Sequence, residues 1–252
     1  MRIDLNSDIG ESFGAWHMGA DDHVLEHVTS ANIACGFHAG DPSTMQRTVA
    51  LAQARGVAIG AHPSLPDLQG FGRREMRIEA TDAYALVVYQ VGALAAFARA
   101  AGSTLGHVKP HGALYTMAAR EPALADAIAQ AVRDVDARLV LVGLAASELT
   151  AAGERAGLRV AHEAFADRRY LADGRLVARS QAHALIEHID DAVAQAITIA
   201  TRGVAHAAGG VAVPIRADTL CVHGDRADAG LFARSLRRAL CDAGVDVRTF
   251  AA

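Results

Sequence analysis

Residues 30–62 read SANIACGFHAGDPSTMQRTVALAQARGVAIGAH, and this stretch carries a complete βαβ signal. Residues 30–35 are almost wholly apolar and too short for a helix, as a strand covered on both faces should be. Asp41 can cap the segment that follows, Pro42 suits a first helical position and Gly56 suits the exit, so a helix is expected over 42–55. A second apolar run, 57–61, then returns parallel to the first. Outward from this unit the rhythm repeats. Further strands are expected at 2–5, 106–109, 139–144, 158–164 and 219–222. Helices are expected at 82–101, from about Pro122, at 182–202, and from beyond Asp225 to before Gly244. Strands alternating with helices imply right-handed crossovers and a parallel sheet.

Seven strand candidates suit a closed or nearly closed α/β barrel, with an open doubly wound sheet as the alternative. Residues 167–180 and 204–217 break the rhythm with glycine inside β-prone sequence. They read as hairpin excursions or lids within one catalytic domain spanning residues 1–252. The chain has 252 residues, 52% hydrophobic and 21% charged, with a formal net charge of −4. That is the composition of a globular protein. Lysine and arginine form no stripe, so nucleic acid is not an expected partner. Neither a signal peptide nor a transmembrane helix is expected, and the three scattered cysteines suit a reducing, cytoplasmic setting. Self-association is left open.

Polar residues gather just after the apolar runs. Asn6, Ser7 and Asp8 follow the first, His38 and Asp41 the second, and His62 the third. Lys109 and His111 close the fourth, Glu163 lies in the sixth, and His223 and Asp225 follow the last. In parallel α/β folds these positions share the C-terminal rim, where active sites sit. Asp41 and Asp225 also stand where plain helix caps would. Asp8, His38 and His62 form a candidate divalent-metal set. Lys109 is costly to bury unless paired, which makes it an anion contact or a tuned proton carrier. The loop containing Gly70, Gly72, Arg73 and Arg74 could hold an anion, and a flexible surface loop fits it equally. No Gly-x-x-x-x-Gly-Lys-Ser/Thr occurs. Cys35 and Cys221 read as small core residues.

The stretches 4–8 (DLNSD), 30–41 (SANIACGFHAGD), 60–74 (GAHPSLPDLQGFGRR), 108–115 (VKPHGALY), 163–168 (EAFADR) and 221–225 (CVHGD) resemble the LamB/YcsF family. The likeness runs from about residue 2 to about residue 247. Ser7 departs from it, since the family usually carries cysteine there. The resemblance implies an irregular (β/α) barrel similar to that of polysaccharide deacetylases. It also implies hydrolysis of 5-oxo-L-proline to L-glutamate, coupled to ATP hydrolysis to ADP and phosphate. ATP, with Mg²⁺, would be co-substrate, and two further subunits, B and C, would be partners.

A lactam resists water, and phosphorylating its oxygen would make the carbon a good electrophile. That chemistry needs cations, a base and an acid. Lys109 with Arg73 or Arg74 is expected to meet anions, and Asn6, Glu163 and Asp225 to line the substrate. Asp8 with His38 or His62 is expected to activate water, directly or through a metal, and His111 or His223 to protonate nitrogen. Two other readings are a metal-dependent deacetylase or amidohydrolase acting without ATP, and a non-catalytic subunit that only binds substrate.

Overall fold

The computed structural model describes residues 1–179, 181–207, 210–222 and 228–251. In chain order the elements are β1 (Arg2–Ile9), α1 (Asp21–Leu25), β2 (Ser30–Ala34), α2 (Pro42–Ala54), β3 (Ala58–His62) and α3 (Ala80–Ala100). Then come β4 (His107–Val108), α4 (Gly112–Ala118), α5 (Pro122–Val135), β5 (Val140–Leu144), α6 (Glu148–Arg155) and β6 (Arg159–Phe165). The chain ends with α7 (Ile189–Arg202), β7 (Val204–His206), β8 (Ala212–Pro214), β9 (Thr219–Val222), α8 (Ala229–Asp242) and β10 (Asp246–Val247).

Strands β1, β2, β3, β4, β5, β6 and β9 pair in that order, all parallel, and β9 pairs back onto β1. The result is a closed seven-stranded barrel wrapped by helices, as the strand count suggested. The short β10 adds to the first two residues of β1, in register Arg2↔Asp246 and Ile3↔Val247. One hydrophobic cluster extends from Ile3 to Val247 and joins strands to helices around the ring.

Alternation along each strand decides what fills the barrel. On β1, Ile3, Leu5 and Ile9 join the apolar cluster, while Asp4, Asn6 and Asp8 bond to residues of other strands across the interior. Ser30 and Asn32 on β2 and His107 on β4 join the same polar network. Val140 and Val142 of β5 and Ala161 of β6 form a separate apolar patch with Phe250 from the C-terminal tail. The lumen is therefore polar towards β1–β4 and largely apolar on the opposite wall. Gly60 shows how tightly it is filled, since a Cβ there would overlap the imidazole of His107.

Several boundaries differ from expectation. β1 continues to Ile9, so Asn6, Ser7 and Asp8 are strand residues and not a loop. Helix α7 starts at Ile189 and not near 182, because His183 is left-handed (φ 64°) and Leu185 bridges to Arg168. The short helices α1, α4 and α6 had no strong periodic signal. The 204–217 excursion is an antiparallel hairpin, β7 with β8. The 167–180 excursion is tied to it by a Tyr170↔Ala207 bridge. By length and composition α3 could cross a membrane, contrary to the expectation of no such stretch. Here it packs on α5 and β3, and its buried Gln90 bonds both the amide and the carbonyl of Ser64.

Candidate active site

At the C-terminal mouth Lys109 is buried, with 3% of its side chain exposed. Its ammonium lies 2.7 Å from Glu163 Oε1, 3.0 Å from Asp8 Oδ1, and 3.2 Å from both Asn6 Oδ1 and Cys221 Sγ. Burial alone would depress the lysine, but Asp8, Cys221 and Glu163 hold it well above its ordinary range, so it stays charged. This argues against a tuned proton carrier, and the anions Lys109 meets belong to the protein. Tyr115 donates to Glu163 Oε2 (2.7 Å) and Asn6 to Oε1 (3.1 Å). Glu163 and Asn6 are thus fully buried parts of the frame and do not line the mouth as expected. Asp8 keeps 13% of its side chain exposed. Burial opposes its charge, yet His62 and Lys109 beside it hold the carboxyl well below the usual range.

Beside Asp8 stand three histidines. His38 and His111 stack with ring centroids 3.8 Å apart, and His62 meets both edge-on. His62 Nδ1 lies 2.6 Å from the carbonyl oxygen of Lys109, and His111 Nε2 lies 2.8 Å from that of Phe71. A carbonyl only accepts, so each of these nitrogens carries its ring's proton. The remaining nitrogens, His62 Nε2 and His111 Nδ1, are then lone pairs facing each other at 2.9 Å. Two lone pairs at that distance repel, and the arrangement calls for a positive species there, either a further proton or a metal ion.

His38 supports the metal. It is buried and, among the described residues, neither ring nitrogen has a hydrogen-bond partner; Nε2 is 3.5 Å from Glu11 Oε1, too long for a good bond. Burial, then His111 and His62, push its pKa well below the ordinary value, which leaves the ring neutral with one lone pair free to ligate. One donor atom each from Glu11, His38, His62 and His111 lies within 4.8 Å of the others. Three imidazoles and a carboxylate suit a first-row divalent ion. This set keeps His38 and His62 of the expected trio and has Glu11 and His111 where Asp8 was expected. Glu11 follows Gly10 immediately beyond β1. Its position on the same rim as the histidines was the available signal.

The loop around Gly72 builds one wall of this cradle. Gly72 has φ +65°, and a Cβ there would come within 2.9 Å of both His111 Cδ2 and His38 Cβ. Phe71 packs edge-on against His38 and His111, and Arg73 lies over the Phe71 ring at 4.8 Å, exposed at the mouth. Arg74 is different. Its guanidinium closes on Asp67, whose carboxylate also takes the Gly70 amide, so Arg74 clamps its own loop. Asp41 is a helix cap that accepts from Ser43, Thr44 and Gly14. Cys221 is buried, though its contact with Lys109 makes it more than filler. His223 and Asp225 lie outside the described residues.

Below the mouth, the buried His107 donates from Nε2 to Asn32 Oδ1 (2.8 Å) and its Nδ1 has no partner among the described residues. Burial, with Lys109 and His62 nearby, lowers its pKa to about 3. The folded state therefore refuses a proton that the unfolded chain takes near pH 6.5, so this stability is present above pH 6.5 and lost on acidification. Asp4 and Asp21, raised by burial to about 6, act oppositely: as pH falls below 6 the folded state takes protons first and regains stability. In chelator-treated protein, urea unfolding at pH 7.5 and 5.5 should show wild type losing about 1 kcal/mol more than His107→Gln. Equal losses in the two proteins would contradict the burial of a neutral His107.

The comparisons with known proteins agree with this architecture. The LamB/YcsF family profile matches residues 3–252. The A component of 5-oxoprolinase from Tolumonas auensis is 60% identical over 247 residues, covering 98% of each chain. The crystal structure of the lactam utilization protein from Thermus thermophilus superposes with a TM-score of 0.94 at 48% identity, covering 99% of this chain and 100% of that one. A more distant structure, T48 deacetylase with substrate, shares the barrel fold at a TM-score of 0.50 and 13% identity, covering 98% of this chain and 86% of that one.

Proposed function

Since the chain belongs to the LamB/YcsF family, we propose that it is the A component of an ATP-dependent 5-oxoprolinase, opening 5-oxo-L-proline to L-glutamate. The full-length likeness to the Tolumonas protein carries this reading, and the ionisable groups concentrated at one mouth support catalysis over mere binding. ATP, with Mg²⁺, is co-substrate. The sequence holds no phosphate-loop motif, which favours nucleotide binding by the partner subunits, B and C.

Phosphorylation of the lactam oxygen makes C5 electrophilic. Ring opening then consumes one water and release of phosphate a second. Asp8 is the residue best placed to take the proton from the attacking water, because it is ionised, held by Lys109 and Asn32, and open to the mouth. Once protonated, it can return that proton to the departing nitrogen as the C–N bond breaks. Both nitrogens of His111 are engaged within the cradle, which removes it from the acid role considered from sequence; His223 remains a second candidate. Glu11, His38, His62 and His111 would hold a divalent ion, which when bound supplies Lewis-acid stabilisation of negative charge on the substrate oxygen. Arg73 would meet the phosphoryl group at the rim.

The cradle also favours one other reading, a self-sufficient metal hydrolase. Glutamate release from 5-oxoproline separates the two. The test uses the chain alone and with subunits B and C, each with and without ATP. Release only from the complete set with ATP is expected. Deacetylation of acetylated sugars by the metal-loaded chain alone, with no lactam hydrolysis, would replace the oxoprolinase reading.

A further inference from the structure

Beyond β6 the chain places a third cation at the mouth after Lys109 and Arg73, Arg168, which the reaction outlined above does not use. It is 7% exposed. Among the described residues its one hydrogen bond runs from Nη2 to the carbonyl oxygen of Val177 (2.7 Å), and its buried Nε has no partner. No carboxylate among the described residues forms an ion pair with it. Burial, then Arg179, lower its pKa to about 10, so it remains charged at neutral pH. A buried guanidinium that no described carboxylate pairs with opposes folding, and it persists where a ligand supplies the anion.

The surroundings hold Arg168 in place. From α7, Gln195 Nε2 reaches three backbone carbonyls around it: Phe165 (2.9 Å), Ala166 (3.1 Å) and Arg168 itself (2.9 Å). The Tyr170 hydroxyl accepts from the Phe165 amide (2.8 Å), and Ile186 donates its amide to the Asp167 carbonyl (2.8 Å). The Phe165 ring connects this arginine to the catalytic centre, lying 6.0 Å from Arg168 Cζ and 5.8 Å from Lys109 Nζ.

We propose that Arg168 binds the carboxylate of the lactam substrate and so selects carboxylated lactams over plain ones. The proposal rests on the oxoprolinase reading and deepens it. A planar guanidinium with an unused Nε edge matches a carboxylate in a two-point contact. A phosphoryl group offers similar oxygens, so the test must separate the two.

Hydrolysis of 5-oxoproline and of 2-pyrrolidinone, the same ring without the carboxylate, is measured with the assembled complex and ATP. The variants are Arg168→Met and Arg168→Lys. Wild type is expected to favour 5-oxoproline by about 100-fold or more in kcat/KM, the worth of two charged hydrogen bonds. Arg168→Met should lose that preference through KM, leave 2-pyrrolidinone turnover unchanged and melt no lower than wild type. Arg168→Lys should recover part of it. Equal losses on both lactams would assign Arg168 to the phosphoryl group or to folding, and unchanged selectivity would leave it no role in recognition; either overturns the proposal. Failure of the oxoprolinase reading would show separately, as wild type inert on both lactams. Calorimetric titration of 5-oxoproline into the chain alone then decides: saturable binding lost in Arg168→Met supports the carboxylate site, and its absence in wild type sinks it.

Discussion

Replacing Lys109 with methionine should destabilise the protein by about 3–5 kcal/mol and abolish hydrolysis, because it strands two carboxylates inside a barrel mouth. Asp8 and Glu163 stand 3.0 and 2.7 Å from the lysine and would lose the ammonium between them, leaving only His62 beside Asp8. Against a typical total stability of about 5–15 kcal/mol, that loss is large enough to lower the yield of folded protein. Activity alone would then be ambiguous. The double variant Lys109→Met/Glu163→Gln removes one stranded charge and should recover much of the stability, measured by urea unfolding, but none of the turnover. Asp8 in that variant keeps His62 but lacks the ammonium that holds its Oδ1 and helps to keep it ionised. A single variant that melts like wild type and retains full activity would refute Lys109 as the central counter-charge.

The second large effect is expected at His38, with the opposite signature. Its ring nitrogens make no hydrogen bonds to the described residues, so His38→Phe keeps the stack on His111 and removes no satisfied polar contact seen there. Stability without metal should change by less than about 1.5 kcal/mol, as for a swap of similar volume. Metal content after loading with zinc or manganese and gel filtration should fall from one ion per chain towards none. Turnover in the assembled complex should drop about 10³-fold. If the variant binds metal as wild type does, the cradle is not a metal site, and the 2.9 Å contact between His62 and His111 holds a proton instead.

How much of this was visible beforehand depended on the kind of signal. The βαβ unit around Asp41, Pro42 and Gly56 was legible because capping chemistry is local, and Asp41 does cap α2 as read. Six of the seven barrel strands were placed within a few residues, since short apolar runs between helices leave little alternative. The first was cut short at Leu5 because Asn6, Ser7 and Asp8 look like loop residues. What rescues them is non-local: Asn32, Lys109, Glu163 and Thr219 supply their partners from strands far along the chain. The polar residues at every second position, Asp4, Asn6 and Asp8, were a readable clue to a polar lumen. The separation of Arg73 from Arg74, and of Glu11 from its neighbours, was not readable, because loop geometry alone decides which side chain turns inward. Arg168 lay in plain view within EAFADR, but only its lack of a carboxylate partner among the described residues marks it, and partners are a property of three dimensions.

The order in which the barrel is sewn shut bears on how the protein is made. Ser7 on the first strand bonds Val222, 215 residues later, and the final strand adds only at Asp246. On a ribosome adding about 5–20 residues per second, β1 leaves the exit tunnel and waits roughly ten seconds or more before its neighbour β9 exists. Throughout that interval the nascent chain carries an open strand edge lined with the acidic and amide groups of the future active site. Closure is therefore a late event set by long-range pairing. The charged residues at alternate positions of β1 make that waiting edge a poor template for pairing with other chains.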